Sequence, residues 1–143
     1  MVAVQYSRRV KPCLRRALVA KRKKTLLLVD DDFRQLAVRK VILELLGYAV
    51  LTAADARRGM QLFESEAPDA VVLDYEMPRA NGGLLAGKIR HANSAVPIVM
   101  LSGCASVPSS ALTAVDIFIR KPAAPSFLIN AIESLTRNQQ VFA

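Results

Sequence analysis

The sequence predicts a doubly wound α/β fold, a five-stranded parallel sheet with helices on both faces. Five short apolar runs, at 26–29, 48–53, 70–73, 97–101 and 116–120, alternate with segments of helical character. Most of these runs are apolar throughout, as a strand covered on both faces requires, instead of alternating with polar residues. The length of 143 residues, 52% of them hydrophobic, suits one domain with its own core.

Each element has a local reason. Leu26-Leu27-Leu28-Val29 forms the first strand and ends in Asp30-Asp31-Asp32. Phe33 to Leu46 carries apolar residues at 33, 36, 37, 41, 42, 45 and 46, a helical period closed by Gly47. Tyr48 to Ala53 is the second strand, and Arg57 to Glu66, with Met60, Leu62 and Phe63, is a helix capped by Asp55. The third strand, Ala70 to Leu73, has Pro68 before it and Pro78-Arg79-Ala80-Asn81-Gly82-Gly83 behind it, and a helix follows near Leu84–Arg90. Pro97 to Leu101 leaves the sheet at Ser102-Gly103, and a short helix is expected over 106–113 with Pro108 in its first turn. Asp116 to Arg120 leaves at Lys121-Pro122, and Phe127 to Leu135 closes the chain as a helix with Leu128, Ala131, Ile132 and Leu135 inward.

The net charge of +8 divides unevenly. Residues 1–24 hold nine Lys/Arg and no acid, whereas 25–137 and the short tail 138–143 are nearly neutral. The basic segment is expected to be a disordered tail. Its cations could alternatively touch nucleic acid or an acidic membrane surface. Its longest apolar run, Ala17 to Ala20, is too short for a secretory signal. No stretch approaches the roughly 18 apolar residues of a membrane span. Cys13 and Cys104 are too few for a disulfide framework or a zinc site and read as free thiols of a reducing cytoplasm.

In an open α/β sheet, ligands bind outside the carboxyl ends of the strands. Four strands deliver Asp30/Asp31, Asp74, Ser102 and Lys121 to that rim. Taken singly, each has a bland role: acids and a hydroxyl cap helices, and a lysine is solvated. Together they form a chemical set. Unit charges about 4 Å apart interact by ~4 kcal/mol at an effective dielectric near 20, so crowded carboxylates call for a cation. Oxygen ligands with room for water suit Mg²⁺. A carboxylate can also act as a nucleophile and form an aspartyl phosphate, with Lys121 neutralising one side of the phosphoryl group and Ser102 donating to it. The same crowding predicts that replacing Asp30 or Asp31 relieves repulsion in the metal-free protein.

Residues 25–137 resemble a response-regulator receiver domain of two-component signalling. The resemblance rests on Leu-Leu-Leu-Val-Asp-Asp-Asp (26–32), Val-Val-Leu-Asp-Tyr-Glu-Met-Pro (71–78) with Asn81-Gly82, Pro-Ile-Val-Met-Leu-Ser-Gly (97–103) and Asp-Ile-Phe-Ile-Arg-Lys-Pro (116–122). It implies a flavodoxin-like strand order 2-1-3-4-5 and phosphorylation of Asp74 by a histidine kinase or phosphotransfer protein. It further implies Mg²⁺ held by Asp31, Asp74 and the backbone carbonyl of Glu76, with Asp30 joining as a second ligand or through water. Ser102 and Phe118 fall at the family's switch positions, and the Lys121–Pro122 bond would be cis. Glu76 and Cys104 occupy positions that could tune access of a hydrolytic water.

Two departures accompany the resemblance. Ser102 to Lys121 spans 19 residues, which shortens the fourth helix, part of the face receivers commonly use to signal. No output domain is recognised after residue 137, which points to a stand-alone regulator that signals by protein–protein contact and is not an enzyme in its own right. Two competing functions set the tests. One is a small Mg²⁺-dependent phosphatase using Asp30 and Asp32, with Ser102 and Lys121 on phosphate. It lacks an acidic pair after Lys121 and leaves Asp74 without a role. The other is a receiver-like binding module that no longer uses phosphate. His91, the lone histidine, reads as a solvated residue at the end of the third helix.

Overall fold

The computed structural model describes residues 22–137. It contains β1 (Thr25–Val29), α1 (Phe33–Leu45), β2 (Ala49–Ala53), α2 (Ala56–Glu66), β3 (Ala70–Asp74), α3 (Gly82–Ala92), β4 (Ile98–Ser102), α4 (Ser109–Thr113), β5 (Ile117–Arg120) and α5 (Pro125–Arg137). The strands pair in parallel in the order β2-β1-β3-β4-β5, as expected. The expectations for residues 1–21 and for the tail 138–143 lie outside the described residues. Arg22 and Lys24, assigned to the basic tail from the sequence, engage the folded body: Arg22 pairs with Asp69 at 3.1 Å, and Lys24 donates to the Thr136 carbonyl.

Strand alternation divides the apolar residues between two cores. Leu27, Val29, Val71, Leu73, Ile98 and Met100 face α2 and α3, packing on Leu62, Phe63, Leu85 and Ile89. Leu26, Leu28, Val72, Val99 and Leu101 face α1 and α5, packing on Leu36, Leu43, Leu128 and Ile132. With both faces covered, every residue of β3 and β4 is buried, which explains why these segments read as unbroken apolar runs.

The helices differ from expectation in instructive ways. Asp55 caps α2 as predicted. The third helix begins at Gly82, because the Asn81 side chain accepts from the Leu84 N–H and forms its N-cap. In α1 the inward residues are Leu36 and Leu43, while Phe33, Val38, Val41 and Leu45 are exposed. A helix apolar on nearly all sides gives no clear stripe to read. The fourth helix is shorter than predicted, only Ser109–Thr113, with Pro108 immediately before it and 103–108 outside regular structure.

This short helix is held by a clamp from α3. Arg90 donates through Nε to the Ala114 carbonyl (3.0 Å) and through Nη1 to the Ser94 and Val96 carbonyls (2.9 and 2.8 Å). Its Nη2 pairs with Asp116 at 2.9 Å, and Asp116 in turn accepts from the Ile98 N–H at 2.8 Å. Arg90→Ala would leave several acceptors unpaired. It is expected to lower stability by about 2–4 kcal/mol in urea unfolding. A change within ~0.5 kcal/mol, the range of an ordinary surface substitution, would show that the clamp contributes nothing net.

Candidate functional site

Sheet register assembles the site. Val29 is level with Leu73, so Asp30 and Asp74 are the adjacent residues that follow on β1 and β3. Strand order reverses between these strands, the place where such sheets open a crevice. Asp74 is level with Leu101, and Ser102 with Arg120, so the rim advances one residue at β4 and one more at β5, where Lys121 leaves the sheet. The Lys121 N–H donates to the Ser102 carbonyl at 2.8 Å, and the Tyr75 N–H to the Leu101 carbonyl at 2.8 Å.

Asp74 is buried, and its Oδ1 accepts from Lys121 Nζ at 2.8 Å. Burial pushes its carboxyl up to about 6 from the usual 3.8, against the pull of the Lys121 ammonium and with help from the charge of Asp30. Asp30 is also buried, whereas Asp31 is exposed. Asp30, Asp31 and Asp74 each offer a carboxylate oxygen, and these oxygens lie within 4.8 Å of one another. Three hard oxygen donors at this spacing, partly open to water, suit a divalent cation of the Mg²⁺ type.

The triplet of aspartates has divided its labour. Asp32 is the N-cap of α1, accepting from the Arg34 and Gln35 N–H groups at 3.0 and 3.3 Å. Asp30 is paired as well: its Oδ2 accepts from Arg39 Nη1 at 2.7 Å, and Gln35 steadies the same guanidinium at 2.7 Å. The sequence reading missed Arg39. Its signal was position, since it lies two turns into α1, on the side shared with Gln35 and the buried Leu36 and Leu43. The pairing also changes the expectation for crowded carboxylates. Removing Asp31 relieves repulsion, while removing Asp30 strands a mostly buried guanidinium.

Ser102 is fully buried, but its hydroxyl does not point to empty space. It donates to Glu76 Oε1 at 2.5 Å, and the same oxygen accepts from the Cys104 N–H at 2.7 Å. The Cys104 N–H also lies 3.0 Å from Ser102 Oγ. Burial opposes charge on Glu76, yet these donors, with the Gly103 N–H, outweigh it and hold its carboxyl below the ordinary range. Glu76 was expected to tune access of a hydrolytic water, but its bond to Ser102 was not foreseen from the sequence. A contact between residues 26 apart leaves no local pattern.

The remaining positions are placed as follows. The Lys121–Pro122 peptide is cis. Phe118 is half-buried, level with Met100 on β4 and packed against the core that faces α2 and α3. Cys104 is a free thiol, and His91 is exposed in the last turn of α3. Among the described residues, no helix is long and apolar enough to cross a membrane.

Comparison with known proteins gives one consistent answer. The family model described as the response regulator receiver domain matches residues 26–133. A probable transcriptional regulator ycf27 of Cyanophora paradoxa is 33% identical over 122 residues, covering 82% of this chain and 50% of that protein. The response regulator MprA of Mycolicibacterium vanbaalenii is 35% identical over 118 residues, covering 78% of this chain and 50% of that protein. The chain thus spans about half the length of these curated relatives. A CheY-like receiver domain protein of Methanospirillum hungatei superposes with a TM-score of 0.81 at 31% identity, over 85% of this chain and all of that one. The response regulator TrrA of Thermotoga maritima, solved in complex with Mg²⁺ and BeF, gives 0.74 at 29% identity, over 78% of this chain and 98% of that one. Sheet order, rim and sequence agree, and the chain belongs to the response regulator receiver domain family.

Proposed function

We propose that this chain is a phosphoacceptor that takes a phosphoryl group on Asp74 from a histidine kinase or phosphotransfer protein in the cytoplasm and signals by binding another protein. The observation that carries this reading is a buried Asp74 with Lys121 Nζ at 2.8 Å on one oxygen and Asp30 and Asp31 beside it. The receiver unit is residues 25–137. Asp30, Asp31, Asp74 and the backbone carbonyl of Glu76 would hold Mg²⁺, which supplies charge neutralisation for the phosphoryl group.

The chain's own residues supply the remainder. An Asp74 carboxylate oxygen forms the new bond to phosphorus as the bond to the donor's imidazole nitrogen or acyl oxygen breaks, the donor keeping the electron pair. Lys121 stabilises the charge on the group it receives and keeps the nucleophile oriented. The Ser102 hydroxyl and the amides after it are the donors for a second phosphoryl oxygen. Movement of Ser102 toward that oxygen would leave space for Phe118 to turn inward, a local charge event biasing a two-state surface. The phosphatase alternative loses its acid/base residue, because Asp32 is committed to capping α1.

Intact mass after incubation with Mg²⁺ and a small acyl phosphate tests the reading. The protein should gain one phosphoryl group, while Asp74→Asn and a metal-free sample should gain none. An adduct that persists in Asp74→Asn would place the chemistry elsewhere, and no adduct on the wild type would favour a module that does not use phosphate.

A further inference from the structure

We propose that the Glu76 carboxylate is a built-in occupant of the phosphoryl site, holding in the unmodified protein the donors that a phosphoryl group on Asp74 needs. The inference rests on Asp74 being the phosphoacceptor and deepens that reading.

The geometry is that of an anion cradle already filled. Glu76 lies two residues beyond Asp74 in the loop between β3 and α3, and one of its oxygens takes both the Ser102 hydroxyl (2.5 Å) and the Cys104 N–H (2.7 Å). A serine carries a single hydroxyl proton, so it donates to one acceptor at a time. While Ser102 donates to Glu76, it cannot donate to a phosphoryl oxygen. Ser102 is buried with 0% exposure and is the last residue of β4, with Lys121 beside it through the 2.8 Å backbone bond. Glu76, by contrast, is exposed in its loop, so it is the partner that can leave and free Ser102 to turn toward a phosphoryl oxygen. A phosphoryl group arriving on Asp74 brings negative charge next to this carboxylate. Glu76 must then swing to solvent and surrender Ser102 and the amides.

Glu76 is a positioning residue in this scheme, since it acts by occupying Ser102 and the Cys104 amide. It sets a resting state in which the loop after β4 is already tied to an anion, but to one belonging to the chain itself. The bland alternative is that Glu76 merely pins the loop 103–108. The two differ in sign. A pin helps the site, so its loss weakens anion binding. An occupant competes, so its loss strengthens it.

The test is an amide-resolved NMR titration of the full chain with fluoroberyllate in Mg²⁺, comparing wild type, Glu76→Gln and Glu76→Ala, with phosphorylation rates from acyl phosphate measured in parallel. Glu76→Ala should bind fluoroberyllate about tenfold more tightly, the factor that corresponds to ~1.4 kcal/mol. Glu76→Gln, which keeps an acceptor but loses the charge, should fall between the two. The Cys104 amide resonance should shift on replacing Glu76 and return toward its wild-type position when fluoroberyllate fills the cradle. Equal or weaker binding in both variants, with a folded spectrum, would overturn the proposal and leave Glu76 a loop pin. If the wild type itself neither binds fluoroberyllate nor gains a phosphoryl group, the phosphoacceptor reading falls, and the occupant with it. That outcome is recognisable because it needs no variant.

Discussion

Gly82→Ala should cost about 3 kcal/mol of stability and slow phosphorylation of Asp74 by roughly 100-fold. A Cβ at position 82 would stand 2.3 Å from the Asp74 carbonyl oxygen and 3.0 Å from the Asp74 carbonyl carbon and Tyr75 Cα. All three neighbours are backbone, so no side chain can rotate away. The Gly82 N–H also donates to the Tyr75 carbonyl at 2.9 Å, which fixes the start of α3 against the end of β3. Any relief must move the strand end that carries the phosphoacceptor. Gly87 supplies the control. It lies within α3 with nothing near its would-be Cβ, so Gly87→Ala should stabilise by up to about 1 kcal/mol. Urea unfolding and intact mass measure both effects. If Gly82→Ala matches wild type in stability and adduct formation, the close approach does not constrain the site.

The metal-free protein should also show a pH signature that disappears in Asp74→Asn. Burial raises the Asp74 pKa from 3.8 to about 6. A group whose pKa is raised on folding favours the folded state below its unfolded pKa and loses that contribution as pH rises through the folded value. Wild type should therefore lose up to about 3 kcal/mol relative to Asp74→Asn between roughly pH 4 and pH 7. Near pH 4 the carboxyl is mostly neutral in the fold, and the two proteins should differ least. Above pH 6 the wild type carries a buried anion that Lys121 only partly offsets, and Asn does not. Mg²⁺ should offset most of this loss by binding the folded wild type, worth ~2.7 kcal/mol at a hundredfold excess over its Kd. Urea midpoints of the two proteins on either side of this range, with and without Mg²⁺, measure the effect. Parallel pH curves would mean that Asp74 is solvated as freely in the fold as in the unfolded chain.

What could be read in the sequence, and what could not, follows from the range of the forces involved. The strands and their polar ends were legible because a parallel sheet covered on both faces demands short apolar runs, and a run must end where the chain leaves the sheet for the site. Asp30, Asp74 and Ser102 were each found as the first polar residue after such a run, and Lys121 as the residue at which the fifth run, ending in Arg120, leaves the sheet. The helices were less legible. In α1 the many apolar residues hid which side faces the sheet, and Leu43 was overlooked while the exposed Phe33 and Leu45 were counted. In α3 the two glycines at 82 and 83 masked the start that the Asn81 cap supplies. The side-chain bonds that organise the site were not legible. Arg39 on Asp30, Glu76 on Ser102 and Arg90 on Asp116 join residues 9, 26 and 26 apart. Charged side chains on loops and helices take many partners, and only the assembled sheet selects one.

The stepped rim has a consequence for how the chain finds its fold. In each of β1, β3 and β4 a charged or polar side chain stands directly against an unbroken apolar run. Sliding any of these strands by one residue would exchange its two faces, and both faces are apolar, so the hydrophobic pattern resists the slip only weakly. The polar ends resist it strongly. A slip that draws Asp30 or Asp74 one place deeper would bury a carboxylate away from Arg39 or Lys121, at a cost of several kcal/mol. These residues thus serve as end stops for strand alignment. The uniform apolar strands that make the sheet stable leave its alignment loosely specified, and the same carboxylates proposed to carry the chemistry supply the missing specification.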